Sequence, residues 1–437
     1  MRSRLLRAPL VALALTVAAS TGATAQPAPR AASAASAASA ATGATTSTPV
    51  DTFMISVLTM GPGEELFNRF GHQSVRIRNL RTGLDSAYNW GMFDFDQPHF
   101  IVRFLTGETR YWMQSYPTVP LVTAYRAEGR SVWEQELDLT PAEKDSLVRY
   151  VQWNAREENK WYRYDYYRDN CATRVRDLID RVTGGAFQRA LAGRAHGVTY
   201  RGETMRLARA FPAINVAMDL ALGTRADSTL SAWDEMFVPM RLREWVREAK
   251  VTRADGSVRP LMKAEQTLVE DPRYADAPTP PNYIVLCLAL GVGVALLAVA
   301  LGARAYTSDG ARWTLGAVGG LWHLVVGIAG TLVALAGLFT RHVYMGHNLS
   351  VLLATPASIA LALLIPLALA KGAPRLVVKA ARGLVGFTAG AAVVGCTVSF
   401  APFYLEHNGA VLALLVPAHL GLTWAVLQAT TYPRDAR

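Results

Sequence analysis

Cysteine is scarce in this sequence: three occur in 437 residues, at Cys171, Cys287 and Cys396. The last two fall inside long apolar runs, so Cys171 stands alone in the part with a globular composition. A lone thiol has no partner for a bridge within its own domain, and it is two or three ligands short of a zinc site. It is therefore either an inert core residue or a working nucleophile. A phosphate loop with its lysine is also missing, and Gly61-Pro62-Gly63 reads as a turn. The formal net charge is +10, yet the basic residues form no compact cluster on one element. That excludes a nucleic-acid signature, and no cofactor is expected.

What is abundant is apolar sequence, 51% of the chain. Met-Arg-Ser-Arg-Leu-Leu-Arg, an apolar run Ala8–Ala19 and Ala23-Thr24-Ala25 read as a secretory signal peptide over 1–25, with a signal anchor as the alternative. Residues 26–50, rich in Ala, Ser and Thr, read as a linker. Residues 51–281 have the mixed composition of a globular domain. After Pro278-Thr279-Pro280-Pro281, from 282 to 437, apolar runs appear at about Tyr283–Ala303, Trp313–Phe339, Leu349–Ala370, Gly383–Phe403 and Ala410–Ala429. Each approaches the ~20 residues of a spanning helix. About five transmembrane helices are expected, with four or six as alternatives. Arg304, Arg312, Lys371, Arg375, Lys379, Arg382, Arg434 and Arg437 then fall on the cytoplasmic side, as positive residues prefer. The expected location is a bacterial inner membrane, with the globular domain in the periplasm.

Within that domain, Thr52–Met60, Gln73–Arg78, Ser86–Trp90 and Ser131–Leu139 read as strands. Thr140-Pro141-Ala142-Glu143 opens a helix running to about Arg156. Val175, Leu178, Ile179 and Val182 put a second helix after Cys171, and residues up to about Glu270 read as mostly helical. A cysteine at a helix N-terminus meets free N–H groups that favour a thiolate and can bind an oxyanion. Asp169 or Asn170 is the expected cap. His72, in Phe70-Gly71-His72-Gln73, lies at the start of a strand and can serve as base to the thiol. Asn89 on the next strand is the candidate to hold the ring's other nitrogen, with Asp94 in reserve. A buried, inert cysteine remains the alternative to this reading.

Gly61-Pro62-Gly63-Glu64-Glu65-Leu66-Phe67, Phe70-Gly71-His72 and Tyr88-Asn89-Trp90-Gly91-Met92-Phe93-Asp94-Phe95 carry a resemblance. Glu158-Asn159, the run Trp161 to Tyr167, Asp169-Asn170-Cys171-Ala172-Thr173-Arg174 and Met236-Phe237-Val238-Pro239 extend it to roughly residues 52–270. Together they resemble the Lnb-type N-terminal periplasmic domain, a family named for a lipoprotein N-acyltransferase. The His-before-Cys order also resembles the permuted, NlpC-type papain fold shared with lecithin:retinol acyltransferase. The resemblance implies an α+β permuted papain-like domain followed by an all-α transmembrane bundle. It implies a Cys171 thioester formed from a phospholipid acyl donor and passed to the N-terminal diacylglyceryl-cysteine of a lipoprotein acceptor.

A lipid substrate agrees with the membrane half. In the outer loop Arg341 to Asn348, Arg341 is a candidate to hold a phosphate, and His342 or His347 to line the site. Asn170 and Tyr164 are further candidates for meeting substrate, Tyr164 as a wall beside the thiol. An ordinary polar loop is the alternative for 341–348. His419, inside the fifth run, is either functional or a helix–helix hydrogen bond. A papain-like hydrolase of peptidoglycan or lipid esters and a non-catalytic envelope scaffold remain alternatives.

Overall fold

A computed structural model describes residues 52–401 and 406–431. The expected signal peptide and linker, and the tail with Arg434 and Arg437, lie outside the described residues.

Alternating apolar residues build a seven-stranded antiparallel sheet in the order β6-β4-β3-β2-β1-β5-β9. Its strands are β1 (Phe53–Met60), β2 (His72–Asn79), β3 (Asp85–Met92), β4 (Arg110–Pro117), β5 (Val132–Leu137), β6 (Trp161–Arg163) and β9 (Met262–Val269). A separate hairpin pairs β7 (Lys250–Thr252) with β8 (Val258–Pro260). The region after Val182 is helical as far as Glu248, but its last stretch is not: β9 closes the sheet against β5. Its sequence, MKAEQTLV, is largely polar because an edge strand faces water and shows little apolar alternation.

Helices α1 (Phe100–Thr106) and α2 (Thr118–Ala127) flank β4, and α3 (Pro141–Asn154) follows β5. The capping box that opens α3 is present: Glu143 N–H donates to Thr140 Oγ1, and Thr140 N–H to Glu143 Oε2. Helix α4 (Cys171–Val182) lays Val175, Leu178 and Ile179 on the core formed by Ile55, Val57, Val75 and Trp90. Trp90 Nε1 donates to Asn154 Oδ1 at 2.8 Å, which satisfies the one polar atom of that large buried ring. Helices α5 (Ala186–Ala190), α6 (Tyr200–Leu207), α7 (Pro212–Ala221), α8 (Ala232–Glu235) and α9 (Pro239–Glu248) complete the domain.

Among the described residues, four helices are long and apolar enough to cross a membrane: α10 (Ile284–Arg304), α11 (Asp309–Phe339), α13 (Arg375–Val398) and α14 (Gly409–Thr431). Between α11 and α13, the third apolar run forms only the short α12 (Ser358–Leu369), so the expected fifth continuous helix is absent. The run still extends from one end of the bundle to the other. Leu349 N–H donates to Glu406 beside the start of α14, while Leu369 C=O accepts from Arg312 near the start of α11. Its first half is a 3₁₀ turn over Leu349–Leu352 and irregular chain to Ala357. Small residues let α11 lie against this broken segment: a Cβ on Gly330 would sit 1.6 Å from Ala354 O. His419 Nε2–H donates to Leu353 C=O at 3.0 Å, so this histidine supplies a donor to backbone that no helix satisfies.

The globular domain rests on the loops at one end of the bundle. Gly223 N–H donates to Tyr344 C=O, Asn348 Nδ2 to Leu220 C=O, and Tyr344 packs among Tyr167, Tyr200 and Phe237. Behind this contact Arg201 is buried with its charge met by Asp219 and Asp227. Asp227 also accepts from His407 Nδ1, from the loop before α14.

Asn170 caps α4 through Oδ1, which accepts from Ala172 and Thr173 N–H, both at 2.9 Å. Asn170→Ala should therefore cost about 1–2 kcal/mol in cap energy alone. A lower thermal midpoint of the purified chain, with Asn170→Asp less damaging than Asn170→Ala, is the expected result.

Candidate functional site

The N-terminus of α4 meets the first residue of β2. Cys171, the first residue of α4, is 7% exposed. The backbone N–H groups of Gln73, Ala172 and Cys171 itself draw its thiol towards the thiolate. Gln73 follows His72, so the strand that carries the imidazole is the one beside the thiol-bearing helix. Gly71, at φ +78°, turns the chain into β2 with no room for a side chain, since a Cβ would lie 2.9 Å from Met60 O.

His72 Nε2 lies 3.1 Å from Asn89 Oδ1. Asn89 pairs with Ser74 across β3 and β2, so it shares a sheet face with His72, two residues away. Asn89 Nδ2 donates to Ala87 C=O, which leaves Oδ1 as the group facing the ring. A carboxamide oxygen can only accept, so Nε2 carries the proton and Nδ1 keeps its lone pair. Asp94, the reserve candidate, is exposed in the turn after β3 and accepts from Asp96 N–H.

Burial pushes the Cys171 thiol up to about 11, against the pull of the surrounding N–H groups and the Arg130 charge. Burial also lowers the His72 imidazole to about 4, helped by Arg130 and opposed by the Asn89 hydrogen bond. Between those values both groups are neutral, and the resting pair is thiol and imidazole.

The other expected residues divide. Tyr164 lies at the thiol: a Cβ on Gly91 would be 3.4 Å from Tyr164 Cε2 and 3.7 Å from Cys171 Cβ. Gly91 has φ +90° at the irregularity in β3, so glycine is needed there both for space and for backbone. Asn170 spends its amide on structure: besides the cap, Nδ2 donates to Tyr166 and Phe237 C=O, and no hydrogen-bonding capacity is left for a substrate. Arg341 pairs with Glu108 at 2.5 Å, and His342 Nε2 donates to Phe104 C=O at 2.9 Å. Both hold α1 and the turn after it to the membrane loop. His347 reaches Thr224 and Arg225 on the domain.

Two neighbours escaped the sequence reading. Tyr162 Oη is buried without a partner, 3.9 Å from the same Gly91 Cβ position. Arg130, 3% exposed, binds Gly61 C=O and Asn68 Oδ1 and lies over the Tyr125 ring, with one guanidinium nitrogen unpaired. The crowd of tyrosines in the sequence marked Tyr162; nothing local marked Arg130, which arrives from the turn before β5.

Residues 41–202 match the family described as the Lnb N-terminal periplasmic domain. His72, Asn89, Tyr162 and Cys171 all lie within the matched stretch, which ends well short of residue 270. No curated protein and no solved structure matches the chain.

The neutral pair has a direct readout. Alkylation of Cys171 by iodoacetamide should be slow at neutral pH and rise about tenfold per pH unit from 7 towards 10, as thiolate forms. A rate already level by pH 8 would mean a preformed thiolate–imidazolium pair.

Proposed function

We propose that this chain, a multi-pass membrane protein carrying an Lnb N-terminal periplasmic domain, is a Cys–His acyltransferase of the bacterial inner membrane. The observation that carries the proposal is the His72–Asn89 hydrogen bond at the start of β2, the strand against which the helix headed by Cys171 packs. His72 precedes Cys171 in the chain, the order of a permuted papain-like fold.

In the first step Sγ of Cys171 attacks the ester carbonyl of a phospholipid, and its proton passes to His72 Nδ1. Because both groups start neutral, proton transfer accompanies the attack. The Cys171 N–H and the unpaired Tyr162 hydroxyl would donate to the oxyanion. Collapse breaks the ester C–O bond, the leaving glycerol oxygen takes the proton from His72, and a thioester remains. In the second step an α-amino group, that of a lipoprotein's diacylglyceryl-cysteine, attacks the thioester. Its proton passes through His72 to the departing thiolate, and an amide is released.

Cys171→Ser should cripple acyl-enzyme formation, since a serine hydroxyl stays protonated where a thiol can be activated. His72→Ala should slow acylation by about 10²–10⁴-fold. Asn89→Ala should slow it less, because the base remains but its ring is unheld. Mass spectrometry of the chain in phospholipid vesicles reads the acyl adduct, and lipoprotein N-acylation is followed separately. Full acylation by Cys171→Ala would sink the covalent mechanism, and an adduct that discharges only to water would make the protein a hydrolase.

A further inference from the structure

Helix α1 is short, and its outward face is apolar. At ~100° per residue, Ile101, Val102 and Leu105 fall on one side and Arg103 on the other. Ile101 is 63% exposed, Val102 59% and Leu105 54%, and Phe95 just before the helix is equally bare. Water is not a favourable surrounding for so continuous an apolar patch. The C-terminal end of α1 is fastened to the outer end of a membrane helix: Arg341 N–H donates to Thr106 C=O at 3.0 Å, two residues after α11 ends. His342 binds Phe104 C=O, and the last residues of α11, Leu338 and Phe339, are both 75% exposed. The apolar face of α1 is therefore tied to the outer end of an apolar helix whose last residues are themselves bare.

Behind α1 lies a cleft of about 490 Å³ lined by Arg103, Glu108, Arg110, Trp161, Tyr162 and Arg163. Arg110 and Arg163 are directly opposite each other on β4 and β6, a placement that is unfavourable for like charges unless an anion sits between them. The one carboxylate in the lining, Glu108, is already matched by Arg341. Tyr162 forms a wall of this cleft and also borders Cys171. Stacked rings continue inward from α1: Phe100 on Phe93 at 6.1 Å, Phe93 on Tyr111 at 5.1 Å, Tyr111 on Tyr164 at 4.1 Å.

We propose that α1 lies in the outer leaflet and that the Arg103–Arg110–Arg163 cleft binds the phosphate of a lipid headgroup beside the Cys171 thiol. Basic side chains at an interface recognise phosphate, and an amphipathic helix of this pattern rests at the headgroup level. The lipid's chain then follows the aromatic stack, and its ester is carried towards Tyr162. This deepens the acyltransferase reading and rests on it only for the consequence of binding.

The test uses the full chain as Cys171→Ala, so that no chemistry consumes the lipid. The chain is placed in nanodiscs of phosphatidylethanolamine and phosphatidylglycerol containing some diacylglycerol. A photo-crosslinking amino acid is placed at Val102, at Trp161 in the cleft, or at Leu84 as control. Leu84 sits in the turn at the far end of β2, roughly 25 Å from His72 by strand rise. Lipid adducts are expected at 102 and not at 84, and phosphate-bearing lipid alone at 161. Arg110→Gln with Arg163→Gln should reduce the adduct at 161 by about tenfold, and the paired lysine variants should restore it. Equal yields at 102 and 84 would overturn the membrane placement. Diacylglycerol captured as readily as phospholipid at 161, or indifference to the glutamine substitutions, would overturn the phosphate site. Because adducts are read without turnover, an absence of acyl transfer in the parent chain would leave these outcomes intact and count against the enzymatic reading alone.

Discussion

The start of α4 is held by one side chain. Asn170 accepts from two N–H groups of the helix and donates to the carbonyls of Tyr166 and Phe237, which come from either side of it. Its own N–H donates to Thr173 Oγ1, so the cap is reciprocal. This knot joins the aromatic run before the helix to the Val238–Pro239 turn after α8, and it sets where Cys171 faces. Helix α4 packs against β2, and the pairing of β2 with β3 brings Asn89 to the His72 ring. The site is thus an anchored helix end laid on a central strand of the sheet.

A second constraint ties this domain to the bundle. Tyr344 enters a cluster with Tyr167, Tyr200 and Phe237, and Phe237 is also the residue whose carbonyl holds Asn170. The membrane loop and the thiol-bearing helix thus share a neighbour. Arg341 and His342 act from the same loop on α1 and the turn after it. Burial keeps thiol and imidazole uncharged at rest, so these two groups form no ion pair there.

The bundle has its own compensation for irregularity. The third apolar run cannot continue as helix through Leu353-Ala354-Thr355-Pro356, because proline disfavours helical conformation in the residue before it. The freed Leu353 carbonyl is met by His419, and glycines on α11 allow the unwound chain to approach. An ionisable residue inside an apolar run here completes the backbone of its neighbour.

Much of this was legible along the chain. Hydropathy runs marked where membrane helices lie, alternation marked the central strands, and Thr140-Pro141-Ala142-Glu143 marked α3, because each is a local pattern with a local cause. Cys171, His72 and Asn89 stood out by residue type and by their places at element ends. Other features had no local signature. The edge strand β9 is too polar to read as a strand until β5 pairs with it. The third run looks like a spanning helix by composition, and only packing against α11 and α14 makes its break tolerable. Arg130 comes to the site from the turn before β5, and Arg110 and Arg163 become a pair only when β4 and β6 align. What the sequence by itself determined is the kind of each segment and the chemistry it carries, since propensity and hydropathy act over a few residues. Which charges share a cleft, which carbonyl a histidine meets and which wall the thiol faces were decided by tertiary structure, because those distances depend on pairing between residues far apart in the chain.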